Sequence, residues 1–131
     1  MMIAGNYNLG ELSKVLFQAM AGVSTNIFTS RPETVAATMN DFAVTSFPTR
    51  IYNRLGIGNT TCRVSLYARN KTVNGTVVED ILKLQAMQDL VYARLPITHT
   101  KCLIGQPVPV WGGNDKLGFH CLHIQLDVTI K

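Results

Sequence analysis

The feature that most constrains this chain is a long alternation near its end. His120, Leu122, Ile124, Leu126, Val128 and Ile130 occupy every second position, with Phe119, Cys121, His123, Gln125, Asp127 and Thr129 between them. A period of two sends successive side chains to opposite faces of a strand, so residues 118–130 predict one long strand with an apolar face. At ~3.4 Å per residue it extends about 40 Å, whereas a compact chain of this length is roughly 36 Å across. Such a strand spans the domain or projects beyond it. The expectation is that its free edge pairs with a neighbouring subunit.

Two stretches change to helical spacing. Asn8 and Glu11 stand at capping-box distance, followed by Leu12, Val15, Leu16, Ala19, Met20 and Val23 along one face, which predicts a helix over about residues 9–22. Thr76 and Glu79 repeat the capping pattern. Val77, Ile81, Leu84, Met87, Val91 and Leu95 then form a stripe that predicts a sheet-covering helix over about 77–95, closed by Pro96. Glu79 and Asp80 fit there as charges favourable to a helix N-terminus.

Between these helices, Cys62, Val64, Leu66 and Ala68 alternate with Thr61, Arg63, Ser65, Tyr67 and Arg69, which is the pattern of a strand with one buried face. Phe42 to Phe47 read as a second strand, and Asn26 to Thr29 as a short apolar piece. Gly56 to Asn59 and Asn74-Gly75 read as turns. The first of these leads into a strand and so makes a poor phosphate cradle, which needs helix N–H groups aimed at the anion. Residues 97–104 predict another strand, and 105–118 a loop rich in Pro and Gly around Trp111. The fold class that follows is α+β, in one domain over 1–131. It consists of a mainly antiparallel sheet packed by the 77–95 helix, with an N-terminal helix and a long C-terminal strand.

Composition points towards a partner. Charged residues make up 15% of the 131, against about 25% in an average soluble protein, so some apolar surface is expected to lie against another chain. Candidate interface residues are Val108, Val110, Trp111, Asn114 and Asp115 from the 105–118 segment, with Phe119, His123 and Gln125 from the last strand. The net charge of +4 comes from scattered residues, of which Arg63 and Arg69 share one strand face and form a candidate basic surface. Three cysteines cannot all pair within one chain, and no leader pattern or membrane-length apolar run is present, so synthesis in a reducing cytoplasm is expected.

The sequence carries no recognisable chemistry. Cys62, Cys102, Cys121, His99, His120 and His123 are metal-ligand types, but no C-x-x-C pair exists and the strand period sends His120 away from Cys121 and His123. No nucleophile elbow occurs, and the acidic residues are scattered. No catalytic residue, metal, cofactor or small-molecule substrate is expected.

The order of helix, strands, Asn-Gly turn, amphipathic helix, strand, loop and long strand resembles the neck and tail-completion proteins of tailed bacteriophages, particularly tail terminators. The resemblance runs through Phe42-Ala43-Val44-Thr45-Ser46-Phe47-Pro48, the 61–69 strand, Glu79 to Leu95 and His120 to Ile130. It implies a structural virion protein at the head–tail junction. Its copies would form a homo-oligomeric ring, a hexamer with a dodecamer as the alternative, that contacts neighbouring neck or tail proteins and passes DNA without reading its sequence. The alternative reading is a small basic nucleic-acid-binding or adaptor domain; neither involves a membrane.

Overall fold

The computed structural model describes residues 9–47, 52–54, 57–100, 102–114 and 118–130. Its first helix, α1 (Leu9–Ala19), is followed by β1 (Ile27–Phe28), β2 (Asp41–Ser46), β3 (Tyr52–Arg54), β4 (Ile57–Arg69), β5 (Lys71–Val73) and β6 (Thr76–Val78). Then come α2 (Ile81–Tyr92), β7 (Ile97–Thr98), β8 (Cys102–Asn114) and β9 (Phe119–Ile130). The class is α+β. One sheet runs in the order β1-β2-β4-β9-β8-β7, with β3 also on β4, and β5-β6 form a separate hairpin. The sheet is mixed, because β1 runs parallel to β2 while the other pairs are antiparallel.

The long last strand is real, but it lies at the centre of the sheet. β9 pairs with β4 from Gly58↔Ile130 to Arg69↔Phe119 and with β8 from Cys102↔Ile130 to Asn114↔His120. Both edges are therefore taken within the chain, which corrects the expectation that β9 offers a free edge to a neighbour. An apolar strand of this length is protected by partners of matching length, and β4 and β8 are each 13 residues.

Alternation sets which face is core. Cys62↔Leu126, Val64↔Ile124 and Leu66↔Leu122 are cross-strand pairs on the face that also carries Ala43, Cys102 and Ile104. Leu12, Leu16 and Met20 of α1 and its exit pack on this face, as do Leu84, Met87 and Val91 of α2. The two helices meet through Arg94, whose guanidinium donates to Leu90 O at 2.6 Å and Ala21 O at 2.7 Å. Gly22, at φ +92, leaves room for that group: a Cβ there would sit 2.8 Å from Arg94 Nη2.

The second helix starts later than its sequence pattern suggests. Asn74 and Gly75 both have positive φ, the requirement of a tight hairpin turn, and such a turn draws the residues after it into a strand. Thr76 and Val77 thus belong to β6 and pair with Val73 and Thr72. Asp80 is the helix cap, its carboxylate accepting from the Lys83 N–H at 3.2 Å. Val77 and Ile81 lie outside the buried stripe, which consists of Leu84, Met87 and Val91.

Two turn and loop expectations also change. Ile57, Gly58 and Asn59 are strand residues, with β3 pairing back onto β4 through Arg54↔Ile57, while Gly56 lies outside the described residues. The 105–118 segment is largely strand: β8 continues to Asn114, with irregularities between Gly105 and Val108 and between Trp111 and Gly113. Prolines are tolerated in a strand when their missing N–H faces an unpaired edge. Beyond Ile104, β8 has no outer neighbour among the described residues, so Pro107 and Pro109 meet that condition.

The other face of the sheet is covered at one end by residues 28–39. Phe42 stacks on Tyr67 with centroids 4.3 Å apart, Phe119 meets Phe42 edge-on at 5.1 Å, and Phe28, Val35 and Met39 close over them. Arg69 holds this cover down. Its guanidinium donates to Met39 O at 2.7 Å and to Ala36 O at 3.2 Å while lying over the Phe119 ring.

Candidate functional site

Beyond that cover, the helix-free face is open. Cross-strand register builds it in rows: Arg63, Gln125 and Val108 lie side by side across β4, β9 and β8, and Ser65, His123 and Val110 form the next row. Val108 and Val110 are 54% and 50% exposed, too much for ordinary core and concentrated at the unpaired edge of β8. Arg63 is exposed and has no hydrogen-bond or ion-pair partner among the described residues.

Polar groups meet in the second row. Ser65 Oγ lies 2.7 Å from His123 Nδ1, and Cys121 Sγ lies 3.5 Å from His123 Nε2. Burial, and secondarily the Arg63 charge, hold His123 below the usual histidine range, so the ring is neutral near pH 7. Gly112 packs against these groups: a Cβ there would come within 3.0 Å of His123 Nε2 and 3.1 Å of the Cys121 carbonyl oxygen. A Cys and a His within reach satisfy the first geometric requirement of thiol chemistry, but no carboxylate contact to orient His123 is found among the described residues, and Cys121 is 4% exposed. The arrangement therefore reads as a packed polar bridge within the sheet.

The remaining metal-ligand types stay apart. No group of three or more His, Cys, Asp or Glu able to hold a metal occurs among the described residues. Cys62 faces the helix-side core, where burial pushes its thiol up to about 12. A thiol held that far up is neither a nucleophile nor a ready metal ligand.

On the helix side, alternation carries His120 into an otherwise apolar row, opposite Ala68 and Asn114. The ring is 2% exposed. Its Nε2 lies 2.9 Å from Glu79 Oε1 without good hydrogen-bond alignment, and Nδ1 has no hydrogen-bond partner among the described residues. Trp111 leans over it, with ring centroids 5.8 Å apart, and is itself 48% exposed. His120, Glu79, Asn114, Val77, Val78 and Ile81 line a depression of about 410 Å³ beneath the β5-β6 hairpin. A larger groove of about 1080 Å³ lies where the exit of α2 faces the start of β8, with Tyr92, Leu95, Leu103, Gln106 and Pro107 among its walls. Among the described residues that line it, Asp127 is the one charged group and none is His or Cys.

The expected interface residues consequently divide. Val108, Val110, His123 and Gln125 share the open face, whereas Trp111 and Asn114 are beside His120 on the helix side. Phe119 is fully buried beneath the 28–39 segment and leaves the candidate set, because a residue sealed inside its own chain cannot meet another. Asp115 lies outside the described residues. Arg69 leaves the candidate basic surface, since its guanidinium is occupied by Met39 and Ala36; Arg63 remains. The His120–Glu79 contact was not anticipated, although a histidine at a core position of an alternating strand was its visible signal. Among the described residues, no helix is long and apolar enough to cross a membrane.

No protein-family model matches the chain, and no curated protein matches it.

Proposed function

We propose that this chain is a structural subunit that assembles with copies of itself into a ring, and that the ring belongs to the head–tail junction of a tailed bacteriophage as a tail terminator or neck layer. The observation that carries the assembly reading is the exposure of Val108, Val110 and Trp111 along β8, whose outer edge beyond Ile104 has no neighbour among the described residues, joined to a sheet face that residues 28–39 cover at one end. A chain with so few charges gains by burying such a surface, and contacts between two different patches of identical copies form a ring when the rotation between neighbours closes. The junction itself is proposed from the order of elements, in which two helices share one face of a sheet built on a long final strand.

The lack of a carboxylate contact at His123 among the described residues and the buried state of the thiols favour a structural role over a catalytic one. Engagement of Arg69 within the fold reduces the expected basic pair to Arg63, which weakens the nucleic-acid-binding alternative. That alternative requires affinity falling steeply with salt.

The test is the location of the chain in phage particles that encode it. Immunogold labelling and quantitative mass spectrometry of purified virions should place a fixed number of copies at the neck. Particles that lack the chain would overturn the assignment to the junction.

A further inference from the structure

Resting on the ring reading, we infer that the depression lined by Glu79 and His120 is the acceptor half of the contact between copies, and that it takes the Arg63 guanidinium of a second copy. The depression carries one formal negative charge, Glu79, which among the described residues meets no Lys or Arg and lies only beside the His120 ring. His120 adds an unpartnered ring nitrogen at 2% exposure, a buried polar atom that a donor from outside would satisfy. Trp111 supplies an exposed indole beside it, with Val77 and Ile81 as an apolar rim. A carboxylate, an unsatisfied ring nitrogen and an aromatic face together recognise a planar cation with an apolar stem, which is an arginine side chain.

The complementary feature is on the opposite face of the same sheet. Arg63 projects from β4 in a row with Gln125 and Val108, exposed and without a hydrogen-bond or ion-pair partner among the described residues, with Val110 in the next row. Among the described residues other cations are already engaged: Lys83 with Asp41 at 2.9 Å, Lys71 with Asp80 at 3.9 Å, Arg31 over the Tyr67 ring at 5.6 Å, and Arg94 and Arg69 with backbone carbonyls. Lys14 also has no ion-pair partner among the described residues, but it rides on α1, on the helix side with the acceptor itself. Donor and acceptor on opposite faces make the contact heterologous: each copy gives Arg63 to one neighbour and receives another copy's at Glu79. Such a head-to-tail contact forms a ring when the rotation between neighbours closes.

The experiment uses the purified full chain and measures native mass and sedimentation for the wild type, Glu79→Arg, Arg63→Glu, the double exchange, and a one-to-one mixture of the two single variants. Circular dichroism checks that each is folded. Each single reversal should weaken association at least about tenfold, because it sets like charges against each other. The double exchange and the mixture should both recover assembly, since every contact then has one charge of each sign. Single variants that assemble like the wild type would overturn this contact while leaving the ring standing, and so would folded singles that neither the double exchange nor mixing rescues. A monomeric wild type would overturn the ring reading and the contact with it.

Discussion

Ser65 Oγ and His123 Nδ1 lie 2.7 Å apart, bridging β4 and β9 on the face that no helix covers. Burial and Arg63 lower the His123 pKa in the folded chain, so below the ordinary histidine value the unfolded chain binds a proton that the folded chain refuses. Above about pH 6.5 both states are neutral and the ring adds no pH dependence. As pH falls from there, stability should fall, until the folded ring is itself protonated. Urea denaturation between pH 8 and pH 5 should show this slope, and His123→Gln should reduce it. An unchanged slope in the variant would assign the effect elsewhere.

Arg69 is expected to be the strut of the 28–39 segment. Arg69→Met removes charged hydrogen bonds to Met39 O and Ala36 O and the contact with the Phe119 ring, a loss of about 2–4 kcal/mol. Denaturant midpoints check the magnitude. Hydrogen exchange should show residues 36–40 opening first, while β4 and β9 stay protected.

Asp80→Ala should cost about 1 kcal/mol by removing the cap of α2, whereas Thr76→Ala should change stability by less than about 0.5 kcal/mol. The pair separates the observed helix start from the one the capping pattern suggests. Equal losses at the two positions would contradict it.

Pro107 and Pro109 should guard the outer edge of β8. Replacing both with Thr restores N–H donors to an exposed strand that carries Val108, Val110 and Trp111, so open-ended association should increase. Light scattering and thioflavin fluorescence over time should rise above wild type. No rise would show that the prolines do not limit pairing at that edge.

Much of this fold is legible in the residues because period two is unambiguous where one face is buried. Cys62 to Ala68 and Leu122 to Ile130 proved to be facing rows of one core, and Leu12, Leu16 and Met20 the helix stripe over it. Legibility failed where a rule acts through a partner strand. Pro107 and Pro109 are loop residues by local preference, yet they sit in β8 because β9 supplies a template on one side only. Thr76 is a good cap in isolation, but the Asn74-Gly75 turn commits it to a hairpin first. Arg69 shares the alternation of Arg63, and only the return of residues 28–39 over that end of the sheet distinguishes them. The His120–Glu79 contact joins β9 to the segment before α2, a proximity that spacing cannot carry.

Native mass spectrometry of the purified full chain, paired with negative-stain images, bears most directly on self-assembly. The expected result is one closed species of fixed subunit number, six in the favoured case, seen end-on as a ring with a central opening. A 14.4 kDa monomer across the accessible concentration range, or an open series of sizes without closure, would contradict it.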